Sequence, residues 1–186
     1  MSRPGPSRGA RVALLRGVNM GGHNKLPMKD LAARFTDAGC RDVRTYIQSG
    51  NVVFTPPPGK AEQVVGVVLD GVAARFGFRP AVVLRTAGEL AAVVAGNSFL
   101  AQGADPAALH VLFLADTPDP ARAAALDPDR SPPDAFAVRG REVYLWLPNG
   151  VARSRLTTAW FDRALGTKCT GRSWRTVVRL AEMAGG

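Results

Sequence analysis

Residues 16–25 read Arg-Gly-Val-Asn-Met-Gly-Gly-His-Asn-Lys, three glycines, two asparagines and a histidine between two cations, directly after the apolar run Val12-Ala13-Leu14-Leu15. Glycine tolerates positive φ and lets a ligand come close to the backbone, so a Gly-rich segment flanked by cations can cradle an anion on its amides. The chemistry on offer is recognition of phosphate or a similar group, with Arg16, Gly17, Asn19, Gly21, Gly22 and Lys25 as contributors. A second reading stays open: the glycines form a compact turn in which Asn19 and Asn24 bond their own backbone. Gly17 and Gly22 have the spacing of the front of a nucleotide-triphosphate loop. His23-Asn24, however, stands where that loop needs Lys followed by Ser or Thr, which argues against nucleotide hydrolysis.

Two further segments combine small and polar residues. Ser49-Gly50-Asn51 lies in "TYIQSGNVVF" (45–54), and Arg172 lies in "TGRSWRTV" (170–177). If the first half folds as a split βαβ unit, strands 1 and 3 are adjacent and antiparallel, so the segment after Leu15 meets the turn before Val52. The expectation is one anion-binding surface made of Arg16, Gly17, Asn19, Gly21, Gly22, Lys25, Ser49, Asn51 and Arg172, with His23 and Tyr46 as further surface candidates. Catalytic patterns are sparse. The histidines are His23 and His110, and His110 opens an apolar run. A Ser49–His23 pair lies in no nucleophile elbow, and Asp127-Pro-Asp129 reads as a turn. Cys40 and Cys169 lack CxxC spacing and read as reduced thiols or core residues, so no metal or other cofactor is expected.

The net charge of +9 and the basic ends suggest an anionic partner, although arginine outnumbers lysine 20 to 4 in an Ala-, Gly- and Pro-rich chain, a bias composition alone can produce. Residues 1–25 carry five basic and no acidic residues, whereas residues 97–136 carry six aspartates against two arginines. Such asymmetry could steer nucleic acid or a phosphorylated small molecule. No apolar run reaches the roughly 18–20 residues that span a bilayer, and the first residues lack a secretory core, so a cytoplasmic location without membrane association is expected.

The positioning elements follow from periodicity. Residues 11–16 read as a buried strand, and Met28, Leu31, Phe35 and Ala38 recur at helical spacing between Pro27 and Gly39. Strands over 42–48 and 51–55 join through Ser49-Gly50. Period-2 alternation turns Val43, Ile47, Val52 and Phe54 inward, and Arg44, Tyr46, Gln48, Asn51 and Val53 to the other face. That face lacks the outward aromatics of an RNA-recognition sheet, and packing against the second half is the other use for it. A helix from Ala61 to Phe76 and a strand over 81–85 complete a βαββαβ, ferredoxin-like order. In the second half we expect a helix near Leu90, a strand over 109–115, a short helix near Pro120 and a hairpin turned at Arg139-Gly140-Arg141. Two final helices follow, with Ser154 and Ser173 as caps. The fold class is therefore α+β: a flexible tail over 1–9, a ferredoxin-like subdomain over 10–86, and a smaller packed α+β subdomain over 87–186.

The blocks "LLRGVNMGGHNKLPMKDL", "VRTYIQSGNVVF" and "TGRSWRTVVRLAEMA" together resemble the bacterial family catalogued as domain of unknown function 1697, over essentially residues 11–184. Arg16, Gly17, Asn19, Gly21, Gly22, Lys25 and Met28 match the first block, Thr45, Tyr46, Ser49, Gly50 and Asn51 the second, and Thr170, Arg172, Trp174 and Thr176 the third. Ser173 and Arg175 stand where the family pattern usually has asparagines. The resemblance implies two α+β subdomains in a small cytoplasmic protein and brings no established activity or cofactor. On the residues alone, the leading expectation is a protein that binds nucleic acid or a phosphorylated ligand. A small enzyme acting on a phosphorylated metabolite and a protein-interaction module are the alternatives.

Overall fold

The computed structural model describes residues 9–185; the tail expected over 1–9 lies, except for Gly9, outside the described residues. The chain divides into two compact units, Met1–Ala91 with Arg179–Gly186, and Ala92–Val178. Each carries a four-stranded antiparallel sheet.

In the first unit β1 (Arg11–Leu15), α1 (Met28–Asp37), β2 (Arg41–Tyr46), β3 (Asn51–Thr55), α2 (Ala61–Phe76) and β4 (Val82–Thr86) follow in the expected order, and the sheet runs β2-β3-β1-β4. α1 starts after Pro27, whose extended backbone makes it the N-cap, and buries Met28, Leu31 and Phe35. α2 buries Val64, Val65, Val68, Leu69 and Val72 and stops at Gly77 in the left-handed region, a conformation glycine adopts without a Cβ penalty. The two helices cover the sheet face of Ala13, Leu15, Val52 and Phe54, where the Phe35 and Phe54 rings meet at 4.6 Å. Burying this apolar area is the main force holding the unit together.

Two expectations about the β2–β3 hairpin are corrected. β2 ends at Tyr46, which pairs with Asn51, so the turn is the four residues Ile47–Gly50 and not a tight Ser49-Gly50 turn. Ile47 leaves the strand with φ +49°, and the alternation that was to bring it inward stops there; it is 50% exposed. The opposite sheet face is not open either, because Val12, Leu14, Asn51, Val53 and Arg85 are buried.

Beyond β4 come α3 (Ala87–Ala95) and the short α4 (Ser98–Ala101). The second sheet and its helices comprise β5 (Leu109–Leu114), α5 (Pro120–Ala124), β6 (Ala135–Arg139), β7 (Glu142–Trp146), α6 (Thr158–Leu165) and β8 (Cys169–Ser173), followed by α7 (Trp174–Gly185). The sheet order β6-β7-β5-β8 repeats that of the first unit position for position. β8 replaces the loop expected between the last two helices: Cys-Thr-Gly-Arg-Ser has no apolar alternation, and its strand is defined by the ladder with β5. The cap of α6 is Thr157, whose hydroxyl accepts from the Trp160 amide, while Ser154 accepts from Leu156 inside the preceding turn.

The repetition extends to one unusual residue. Arg85 on β4 and Arg172 on β8 are both buried, and each donates Nη1 to the carbonyl of the residue before it, Leu84 at 2.8 Å and Gly171 at 2.7 Å. Each is followed by a hydroxyl residue at a strand-to-helix junction. Thr86 and Glu89 form a reciprocal capping box there, and the Ser173 hydroxyl pairs with Thr176. Among the described residues no helix is long and apolar enough to cross a membrane.

Gly50 sets the clearest stability test. At φ +76° an added Cβ would stand 2.6 Å from Val18 Cγ2 and 2.8 Å from Leu15 Cβ, whereas Gly59, also at positive φ, has nothing within 4 Å. Gly50→Ala should therefore cost about 2–4 kcal/mol, backbone strain plus overpacking, against about 1–2 kcal/mol for Gly59→Ala, when both are measured by urea denaturation.

Candidate functional site

The segment after β1 is a loop of unusual backbone content. Gly17, Asn19, Gly21, Gly22 and Asn24 all have positive φ, between 49° and 80°. Non-glycine residues visit this region at a cost that asparagine bears better than most. Three bonds of one side chain fix the loop. Asn19 donates Nδ2 to the Leu26 carbonyl and to the Gln48 carbonyl, and its Oδ1 accepts from the Leu26 amide, all at 2.8 Å. Asn24 donates Nδ2 to the Gly17 carbonyl at 3.0 Å, and its own carbonyl accepts from the Asn19 amide. The His23 amide bonds the Met20 carbonyl.

The Gln48 bond fastens the loop to the β2–β3 turn, and the Leu15 amide donates to the Gly50 carbonyl at 2.9 Å. The Arg16 amide donates to Ala81, just before β4. The turn is locked from within: Asn51, fully buried, donates Nδ2 to the Tyr46 carbonyl and to Ser49 Oγ. The expected meeting of the Arg16–Lys25 segment with Ser49-Gly50-Asn51 is thus seen in the first unit. Asn19, Ser49 and Asn51 form its fixings, while Gly21, Gly22, His23, Asn24 and Lys25 are exposed. Arg16 and Tyr46 are half-buried.

Arg172 belongs to the second unit. It pairs with Val111 on β5 and is 7% exposed, and it donates Nη1 to Thr170 Oγ1 as well as to Gly171. Burial lowers its pKa to about 10, still far above neutral pH, so it is a buried cation. Sequence reasoning passed over Met20, Ile47 and the Gln48 carbonyl. The first two are exposed apolar side chains at the tip, and the third is a backbone acceptor that no residue type announces.

Among the described residues no group of three or more His, Cys, Asp or Glu side chains is arranged to hold a metal ion. Both cysteines are buried and neither is in a disulfide, and burial pushes the Cys40 thiol up. His110, half-buried on β5, is held below its ordinary value of 6.5 by desolvation, partly offset by a bond to the Ala108 backbone. A cleft of about 290 Å³ lined by Arg11, Arg41, Thr55, Pro57, Ala61 and Glu62 sits at the opposite end of β1 from the loop and contains none of the expected site residues.

These features define an α+β protein with two sheets of the same strand order and a Gly/Asn-rich loop pinned to a neighbouring hairpin turn. The family model described as protein of unknown function (DUF1697) matches residues 9–144, and the chain belongs to that family. The match takes in the first two sequence blocks and ends before the third. A solved structure, that of the conserved bacterial protein SP0830 from Streptococcus pneumoniae, is similar over 94% of this chain and 98% of that one, with a TM-score of 0.71 at 22% identity, a likeness of fold. None of the curated proteins compared matches the chain.

Two outcomes follow. Asn19→Ala should destabilise the first unit by about 1–3 kcal/mol and speed tryptic cleavage after Lys25, because three bonds are lost and their partners are left without that side chain. For His110 the folded pKa is lowered, so its contribution to stability is present above the unfolded pKa and is lost as pH falls from there towards the folded value. His110→Gln should therefore lose less stability than the parent as pH falls below the ordinary histidine value of 6.5 in denaturant titrations.

Proposed function

We propose that this protein recognises phosphate groups, carried by nucleic acid or by a phosphorylated ligand, on the exposed amides of the loop at residues 17–25, with Arg16 and Lys25 supplying positive charge. In this reading the two βαββαβ units are ferredoxin-like modules, and the first presents the site at one end of its sheet. The observation that carries the proposal is the division of labour in the loop. Its asparagines are consumed in holding the backbone, whereas Gly21 and Gly22, at φ +56° and +80°, are exposed, and their amides make no hydrogen bond among the described residues. Both glycines lie in the tight turn closed by the His23 amide on the Met20 carbonyl, a setting in which unpaired successive amides are available to an anion, and a site already held in shape pays little ordering entropy on binding. The surroundings agree in sign, since no acidic residue lies in 16–29 or 43–60.

The Gly21→Ala/Gly22→Ala double variant tests this cleanly, because an added Cβ at either position meets nothing within 4 Å, so the change strains the loop without a clash. Backbone strain of about 1–2 kcal/mol at each position will lower Tm, as at Gly59; calorimetric titration with inorganic phosphate and with a short oligonucleotide, at a temperature where parent and variant are both folded, should show a further loss of about tenfold in affinity. Lys25→Ala should reduce the salt dependence of oligonucleotide binding by about one phosphate contact. Binding that is unaffected in both variants, or falls only as stability falls, would contradict the proposal.

A further inference from the structure

Two apolar side chains at the tip of this site have no explanation in the core. Met20 is 66% exposed and Ile47 is 50% exposed, and neither belongs to the hydrophobic cluster beneath the first sheet. They come from different segments, yet they lie one residue to either side of the 2.8 Å bond between Asn19 and the Gln48 carbonyl. Ile47 is also held at φ +49°, where a β-branched residue is a conformational outlier and glycine or asparagine would sit with less strain. Folding thus bears a cost at Ile47 that core burial does not recover, a pattern found where local strain serves a site.

Resting on the phosphate-binding reading above, we infer that the ligand is a nucleotide unit: its phosphate sits on the Gly21-Gly22 amides, and its base lies flat against Met20 and Ile47. The pairing of chemistries argues for it. Inorganic phosphate or a small sugar phosphate would use the amides and cations and leave both apolar side chains in water. A partner held by its apolar surface alone would have no use for Arg16 and Lys25 in a segment, 16–29, that carries no acid. A base is large, flat and apolar on its faces, and contact with it is tolerant of sequence. The flexible thioether of Met20 suits packing against such a surface. A free nucleotide and one residue of a single strand present the same chemistry.

The test uses the full chain with three probes, inorganic phosphate, a nucleoside monophosphate and a short labelled oligothymidylate, on the parent, Ile47→Gly and Met20→Gln. Ile47→Gly relieves the strained backbone, so its Tm should rise while nucleotide affinity falls about fivefold and phosphate affinity stays unchanged. Met20→Gln should reproduce the affinity loss with Tm unchanged. Competition by the monophosphate at concentrations matching the oligomer's residues identifies a free nucleotide as the ligand; tight binding by the oligomer alone identifies a strand; either supports the inference. Parental nucleotide affinity in both variants, with phosphate binding still dependent on the glycines, overturns it and leaves the loop reading standing. Loss of self-association in sedimentation, with nucleotide affinity unchanged, overturns it in favour of a protein contact. If no probe binds the parent, the loop reading fails and this inference with it.

Discussion

The side-chain amide of Asn19 holds three backbone groups at 2.8 Å, two on Leu26 and one on Gln48, and the site end of the first unit is organised around that arrangement. A loop with five residues at positive φ needs such fixings to keep one shape, because glycine-rich backbone gains the most entropy from disorder, and the bonds of Asn24 to Gly17 and to the Asn19 amide add to them. Gly50 supplies the matching surface. Its carbonyl accepts from Leu15, and the absence of a Cβ lets Val18 and Leu15 close against it. The loop is therefore seated on the hairpin by a hydrogen-bonded bracket on one side and by close packing on the other. Neither constraint uses the amides of Gly21 and Gly22.

Much of the first unit was legible in the sequence because its signals agree with one another. Leu31 and Phe35 at helical spacing, Gly39 as a stop, and the apolar β1 and β3 all point to the order found. The second unit was less legible where tertiary contacts override local pattern. β8 is a strand because β5 pairs with it; Gly171 and Ser173 give no such indication. Likewise Ile47 looks like the next inward residue of β2 until the backbone turns at that residue.

The site was legible in composition but not in role. Asn19, Ser49 and Asn51 are the residue types that could contact a ligand, and in the fold they are the ones most occupied with backbone and with one another. Residue type gives the hydrogen-bonding capacity of an asparagine; only the fold decides which partners take it up. Arg172 makes the same point. Arginine in a basic, Gly-containing segment reads as a surface cation, yet here it is buried on a strand, and Arg85 occupies the corresponding place in the other sheet. Each sheet of this protein thus has a buried guanidinium at the equivalent strand end, bonded to the carbonyl before it and followed by a hydroxyl residue that opens a helix.

If the β1–α1 loop is the preformed receptor proposed above, its glycine amides face the ligand. Following backbone amide resonances while titrating the intact protein with phosphate tests it most directly, because each glycine reports for itself. The expectation is of large downfield proton shifts confined to Gly17, Gly21, Gly22 and their neighbours, with Leu26, Gln48 and Gly50 nearly still. Shifts spread over the arginine-rich surfaces with the loop glycines unmoved, or a loop whose resonances change as a whole along with those of Leu26 and Gln48, would contradict it.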